Sequence, residues 1–238
     1  MQRLSGLKVK IFGDGADKAA ILDLYAKPHI HGFTTNPTLM RKAGIRDYEA
    51  FARDLLEAIP DRPISFEVFA DEAREMERQA RRIATWGANV FVKIPITNTR
   101  GESAVPLLRH LTGDGLRLNV TAMLPLHQVS AAAEAMSGGA TSYVSVFAGR
   151  IADTGVDPVP LMAKAVKILA PHQNLQLIWA SPRELLNIFQ ADAIGCHVIT
   201  VTGDVLKKLD LVGKDLDQYS LETVRMFYED ARASGFTL

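Results

Sequence analysis

The sequence lacks most of what would tie a chain to a disulfide framework, a nucleic acid or a membrane. Cys196 is its only cysteine, which excludes an internal disulfide and any cluster of thiolate ligands. The apolar neighbours of Cys196 make it a core residue rather than a nucleophile. Neither sign of charge dominates: Lys+Arg and Asp+Glu stand at 27 each, so no overall positive field exists to gather nucleic acid or an anionic lipid surface. No basic patch interleaved with aromatics is present either. No run of roughly 18 apolar residues is available to span a bilayer. The start, Met1-Gln2-Arg3-Leu4-Ser5-Gly6, has neither the apolar stretch nor the small-residue cleavage site of a signal peptide. These absences predict a cytoplasmic protein without nucleic-acid or membrane partners.

Local motifs for metals and nucleotides are equally sparse. His29-Ile30-His31 places two imidazoles in the loop expected before the second strand, with no third ligand nearby, so no metal is expected. Gly13-Asp14-Gly15-Ala16-Asp17 lacks the fuller glycine pattern and the lysine of a phosphate loop.

What is present is a chain of 238 residues, 47% hydrophobic and 23% charged, sufficient for one large core. The expectation is a single domain over 1–238. Short β-rich runs alternate with stretches of helical periodicity, the signature of parallel strands joined by crossover helices. The runs fall near 9–12, 32–34, 64–68, 90–94, 116–121, 143–147, 175–179 and 198–201. Eight such units predict an α/β fold, a (β/α)8 TIM-type barrel. Between them, the charge run Asp71-Glu72-Ala73-Arg74-Glu75-Met76-Glu77-Arg78 reads as a solvated helix face. Gly138-Gly139 and Thr112-Gly113-Asp114-Gly115 read as tight turns into strands. An extra C-terminal helix is expected over 220–234, with Ser220 as its N-cap and Leu221, Val224, Phe227, Tyr228 and Ala231 along one face.

In such a barrel the reacting groups stand at the C-terminal ends of the strands. Asp14 ends the first run, and Thr35-Asn36 the second. The third carries Glu67, the fourth Lys93, the fifth Asn119 and Thr121, and the sixth Ser145. Ser181 and Arg183 follow the seventh, and the eighth holds Thr200 and Thr202. Lys93 interrupts Val90-Phe91-Val92-Lys93-Ile94-Pro95-Ile96, where burying an ammonium is costly. Either the side chain snorkels to solvent, or desolvation lowers its pKa and supplies the free amine that attack on a carbonyl requires. Asp14 and Glu67 are expected beside it, as proton-transfer groups or as ion-pair partners. Arg150 and Arg183 follow adjacent strand ends, on the side where barrels often bind phosphate. They are read as a phosphate site on the substrate, with two plain surface arginines as the alternative.

Four segments, in order, resemble those of the transaldolase family. They are Gly32-Phe33-Thr34-Thr35-Asn36-Pro37-Thr38-Leu39, Val92-Lys93-Ile94-Pro95, Asn119-Val120-Thr121 and Ser145-Val146-Phe147-Ala148-Gly149-Arg150. The resemblance runs from about Lys10 to Thr202 and implies that Lys93 forms a Schiff base with a ketose phosphate. It implies that Asp14 is the acid/base and that Glu67 and Thr121 hold a catalytic water. Asn36 and Asn119 would bind hydroxyls of a three-carbon unit, with Ser145 positioning it and Thr35 and Phe147 beside it. Arg150, Ser181 and Arg183 would hold phosphate. No cofactor is implied, because the iminium itself is the electron sink.

The family also includes fructose 6-phosphate aldolases, which typically carry Gln where this chain has Glu67 and Tyr where it has Phe147. Both positions here match the transferases. Val146, Thr38 and Pro182 depart from the usual residues and bear on acceptor identity. A pathway-specific aldolase on an unusual sugar phosphate and a non-catalytic sugar-phosphate-binding barrel are the remaining readings. The last helix, with Phe227, Tyr228 and Phe236, resembles segments that compact relatives use in subunit contacts, implying a ring-like homo-oligomer.

Overall fold

A computed structural model describes residues 6–235; Phe236 lies outside them. Eight parallel strands close in sequence order into a barrel. They are β1 (Lys10–Asp14), β2 (Ile30–Thr34), β3 (Ile64–Glu67), β4 (Val90–Pro95), β5 (Leu118–Met123), β6 (Ser142–Val146), β7 (Leu175–Trp179) and β8 (Val198–Thr202). The helices around it are α1 (Lys18–Tyr25), α2 (Pro37–Lys42), α3 (Tyr48–Ala58), α4 (Ala73–Ala84), α5 (Val105–Gly113) and α6 (Leu126–Met136). They continue with α7 (Ala148–Ala152), α8 (Pro158–Leu169), α9 (Leu186–Ala193), α10 (Gly203–Leu206) and α11 (Leu216–Ser234). The (β/α)8 barrel expected from the alternating pattern is therefore the fold.

Every strand but β7 shifts by one or two residues from expectation at one end or both, and three boundaries have a clear local reason. β2 begins at Ile30, which is 1% exposed, so His31 belongs to a strand rather than to the preceding loop. β6 stops at Val146 because Phe147 turns the chain into α7. The last helix starts at Leu216, where the Asp215 side chain accepts from Gln218 N; that earlier acidic cap takes the role expected of Ser220.

Two apolar layers hold the barrel. The larger lies between strands and helices and includes Leu55, Leu108, Met136, Met162 and Trp179, all fully buried. The smaller fills the inside with Phe12, Phe91, Tyr143, Ile178, Ala180 and Val198. The Tyr143 ring lies 4.4 Å from Phe91 and 5.6 Å from Phe12, centroid to centroid. Such aromatic pairs add about 0.5–1.5 kcal/mol each beyond their buried area. Gly32 makes room for this plug, since a Cβ there would stand 2.7 Å from the Phe12 ring. Phe12, Phe91, Tyr143 and Val198 each precede by two residues a polar side chain on the same strand face: Asp14, Lys93, Ser145 and Thr200. The aromatic layer is thus the floor of a polar layer that opens toward the C-terminal ends of the strands.

Candidate active site

Lys93 is 7% exposed, and the β3–β4 register sets it opposite Glu67. Its Nζ lies 3.1 Å from Glu67 Oε2 and donates to the carbonyl of Thr35 at 3.1 Å. The ammonium is therefore held inside the barrel rather than snorkelled to solvent. Glu67 is itself braced from behind, where the Tyr48 hydroxyl donates to the Glu67 carbonyl at 3.0 Å. Tyr48 is wedged among Phe66, Phe69 and Trp86.

Asp14 stands on the other side of Lys93, at the end of β1. Burial raises its pKa above the ordinary carboxylate value, against the opposing pull of Lys93 and a hydrogen bond from Thr34; Glu67 adds a further push upward. Thr34 Oγ1 makes that bond to Asp14 Oδ1 at 2.7 Å.

A second chain of hydrogen bonds crosses three strands. Ser145 Oγ donates to Asn119 Oδ1 at 2.6 Å, and Asn119 Nδ2 donates to Ser65 Oγ at 2.9 Å. Both ends of the Asn119 carboxamide are fixed, and one N–H of the amide remains beyond the bond to Ser65. Thr121 is 1% exposed, and its Oγ1 has no protein partner. β5 bulges just there: Ala122 has φ 62°, and the pairing with β6 shifts register between Val120 and Met123. A left-handed non-glycine residue at a strand end stores strain typical of working sites.

The remaining candidates occupy two positions. Thr35 is fully buried, its hydroxyl donates to the Ser65 carbonyl at 2.8 Å, and what it offers the site is its own carbonyl. The Asn36 side chain caps α2 by accepting from Leu39 N at 3.0 Å, which leaves its amide N–H groups available. Phe147, Arg150, Ser181 and Arg183 gather above β6 and β7. The Arg150 guanidinium lies 5.7 Å from the Phe147 ring centroid. Arg183 grips Asp153 through two bonds, Nε at 2.9 Å and Nη2 at 2.5 Å, and this holds the Asp153 carboxyl below its usual range. Ser181 has φ 60°, and its carbonyl passes so close to Gly149 that a Cβ there would be 1.6 Å away.

The geometry adds residues that the sequence reading left without roles: Ser65, Thr34, Thr200 and Asp153. Ser65 carried a signal, a small polar residue two positions from Glu67 on the same strand face; Thr34 directly precedes the chosen Thr35, and Thr200 was named on the eighth run without a role. Asp153 had no such signal. Cys196 is buried, and its thiol is pushed up to about 12 by desolvation, which agrees with a core role. Among the described residues, no group of three or more His, Cys, Asp or Glu is placed to hold a metal. None of their helices is long and apolar enough to cross a membrane.

A closed parallel barrel whose C-terminal mouth gathers a buried lysine, two carboxylates and a fixed amide is a (β/α)8-barrel of the enzyme type. The family model described as Transaldolase/Fructose-6-phosphate aldolase matches residues 11–238. A protein of Listeria monocytogenes named probable transaldolase 2 is 35% identical over 202 residues, 84% of this chain and 88% of its own. A probable transaldolase of Thermoanaerobacter is 34% identical over 231 residues, 97% of this chain and 100% of its own. The chain belongs to the transaldolase/fructose-6-phosphate aldolase family. More distant solved structures share the fold alone. Dihydrodipicolinate synthase from Rhodopseudomonas palustris superposes with a TM-score of 0.58 at 15% identity, covering 93% of this chain and 80% of that one. KGPDC from Streptococcus mutans gives 0.55 at 11%, covering 82% and 87%.

Proposed function

We propose that the protein transfers a dihydroxyacetone unit from a ketose phosphate, such as fructose 6-phosphate, to an aldose phosphate through a Schiff base on Lys93. The observation that carries this reading is the buried Lys93 ammonium, 3.1 Å from Glu67 Oε2, with Asp14 across the same layer. Lys93 Nζ, once deprotonated, attacks the C2 carbonyl, and the carbinolamine loses water to form an iminium. A water held between Glu67 and the unpartnered Thr121 hydroxyl relays those protons. Asp14 then takes the proton of the C4 hydroxyl as the C3–C4 bond breaks and its electrons flow into the iminium. The resulting enamine adds to the acceptor aldehyde by the reverse path.

Asn119 offers its remaining N–H to a substrate hydroxyl. Ser145, its own proton committed to Asn119, accepts from another. Asn36 serves the same three-carbon unit, with Thr35 and Phe147 forming its wall. Arg150, Ser181 and Arg183 hold the phosphate, with Asp153 keeping Arg183 in place. No cofactor is part of this scheme. The reading includes one domain over 1–238, a cytoplasmic setting in pentose phosphate metabolism, and assembly into a homo-oligomer through α11.

Incubation with fructose 6-phosphate and borohydride, with and without erythrose 4-phosphate, tests it by peptide mass spectrometry. A three-carbon adduct on Lys93 that disappears with the acceptor is the expected result. An adduct indifferent to acceptor identifies an aldolase that releases free dihydroxyacetone. No adduct with any ketose phosphate would return Lys93 to a structural charge in a binding barrel.

A further inference from the structure

The eighth strand brings to the mouth a side chain that the proposed chemistry does not use. Thr200 is 6% exposed, and its Oγ1 lies 2.5 Å from Thr34 Oγ1. Thr34 is 3% exposed and donates to Asp14 Oδ1 at 2.7 Å. A hydroxyl carries one proton. Since the Thr34 proton goes to the carboxylate, the contact between the two threonines runs from Thr200 as donor to Thr34 as acceptor. The chain has a direction, from β8 through β2 to β1, and it ends on one oxygen of Asp14 while leaving Oδ2 for whatever enters the mouth. Burying two hydroxyls where valine would fit costs free energy unless each bond is made, and here each is.

We propose that Thr200 is a positioning residue: acting through Thr34, it fixes which oxygen of Asp14 meets the substrate. This rests on Asp14 as the base of carbon–carbon cleavage. In that step Asp14 Oδ2 accepts the hydroxyl proton, the O–H pair becomes the new carbonyl, and the breaking bond's electrons reduce the iminium to an enamine. The charged groups whose field reaches Asp14 are Lys93 on β4 and Glu67 on β3. β2 contributes Thr34, the link from β2 to α2 contributes Asn36, and β8 contributes Thr200 and Thr202, all neutral. Asp204, beyond β8, is exposed and bonded to Thr202. Without the Thr200 donor, Thr34 is free to turn its proton elsewhere, and the Asp14 carboxylate loses support that burial makes valuable.

The test compares Thr200→Val and Thr200→Ser with the unaltered protein in pH profiles of kcat/KM, together with borohydride trapping. In Thr200→Val the acid limb moves up by about half a pH unit, and kcat falls by about threefold to tenfold with KM nearly constant. Thr200→Ser restores both, and trapping on Lys93 is unchanged in either variant. Should Thr200→Val fail to fold by circular dichroism, Thr200→Ala carries the same expectation. A wild-type limb and kcat in the hydroxyl-free variant would overturn the inference, as would a folded serine variant equally impaired. If the unaltered protein forms no adduct, the Lys93 reading itself falls. An adduct combined with an unmoved profile defeats the role of Thr200 alone.

Discussion

Asp14 carries a cost that its position in the polar layer makes measurable. Its folded-state pKa is raised above 3.8, burial being the largest cause. Below that unfolded-state value, both folded and unfolded chains hold the proton, and the group adds nothing to stability. As pH rises from there through the folded-state pKa, the unfolded chain gives up its proton first, so stability falls and stays lowered at neutral pH. Asp14→Asn removes the penalty. Its Tm at neutral pH is expected above that of the unaltered protein, with the gap closing as pH drops toward 3.8. The variant still forms an adduct with a ketose phosphate but does not cleave it. Melting curves across pH decide the first point: an unchanged or lower neutral Tm would mean that the Lys93 and Thr34 contacts outweigh the burial. Arg183 makes a different prediction. If its guanidinium orients phosphate, Arg183→Ala raises KM for fructose 6-phosphate about tenfold or more with little change in kcat. Steady-state kinetics with an unphosphorylated ketose donor should show no such change, and an equal KM rise there would remove phosphate from the explanation.

At the scale of elements, the junction of β6, α7 and the β7 end depends on a missing side chain. Gly149 lets α7 lie against the Ser181 turn, since a Cβ would meet the Ser181 carbonyl at 1.6 Å and Arg183 Nε at 3.2 Å. Backbone cannot yield as a flexible side-chain tip would. Gly149→Ala is expected to cost roughly 2 kcal/mol or more of stability and to raise KM for phosphorylated donors alongside Arg183→Ala. Denaturant unfolding and kinetics of the same preparation measure both. A variant with native stability would show that the turn relaxes freely. This junction also marks how far the sequence was legible. Apolar runs located every strand, and the polar residue ending each run pointed to Asp14, Glu67, Lys93, Asn119 and Ser145, because strand period and barrel geometry force those positions together. Thr34 and Thr200 stand 166 positions apart, and no local pattern announces which hydroxyl meets which. The bulge at Ala122 and the ion pair of Arg183 with Asp153 were hidden for the same reason: register and loop geometry are set by packing between distant segments.

For the whole molecule, the closed barrel needs no partner to finish its sheet, yet α11 leaves its large apolar side chains uncovered among the described residues. The helix runs Leu216–Ser234, and none of its residues is buried. Leu216, Val224, Phe227 and Tyr228 are each at least 60% exposed. The sequence announced Val224, Phe227 and Tyr228, though not Leu216, and not that they would point at solvent, since periodicity shows that a face exists without showing what covers it. An isolated helix of this kind is only marginally stable in water, and tertiary or quaternary packing normally supplies the rest. Monomeric proteins also rarely leave so many large apolar side chains together in water. A second copy of the chain is the proposed cover, and a stable interface would bury about 800 Å² per partner. A chain ending before Leu216 should then give the protomer mass by light scattering where the full chain gives a multiple of it. It should keep the barrel's circular dichroism and Lys93 trapping, because every residue of the polar layer lies on β1 to β8 or on the loops that follow them. An unchanged mass after truncation would assign assembly to another face, and a monomeric full chain would leave α11 without a cover from its own kind.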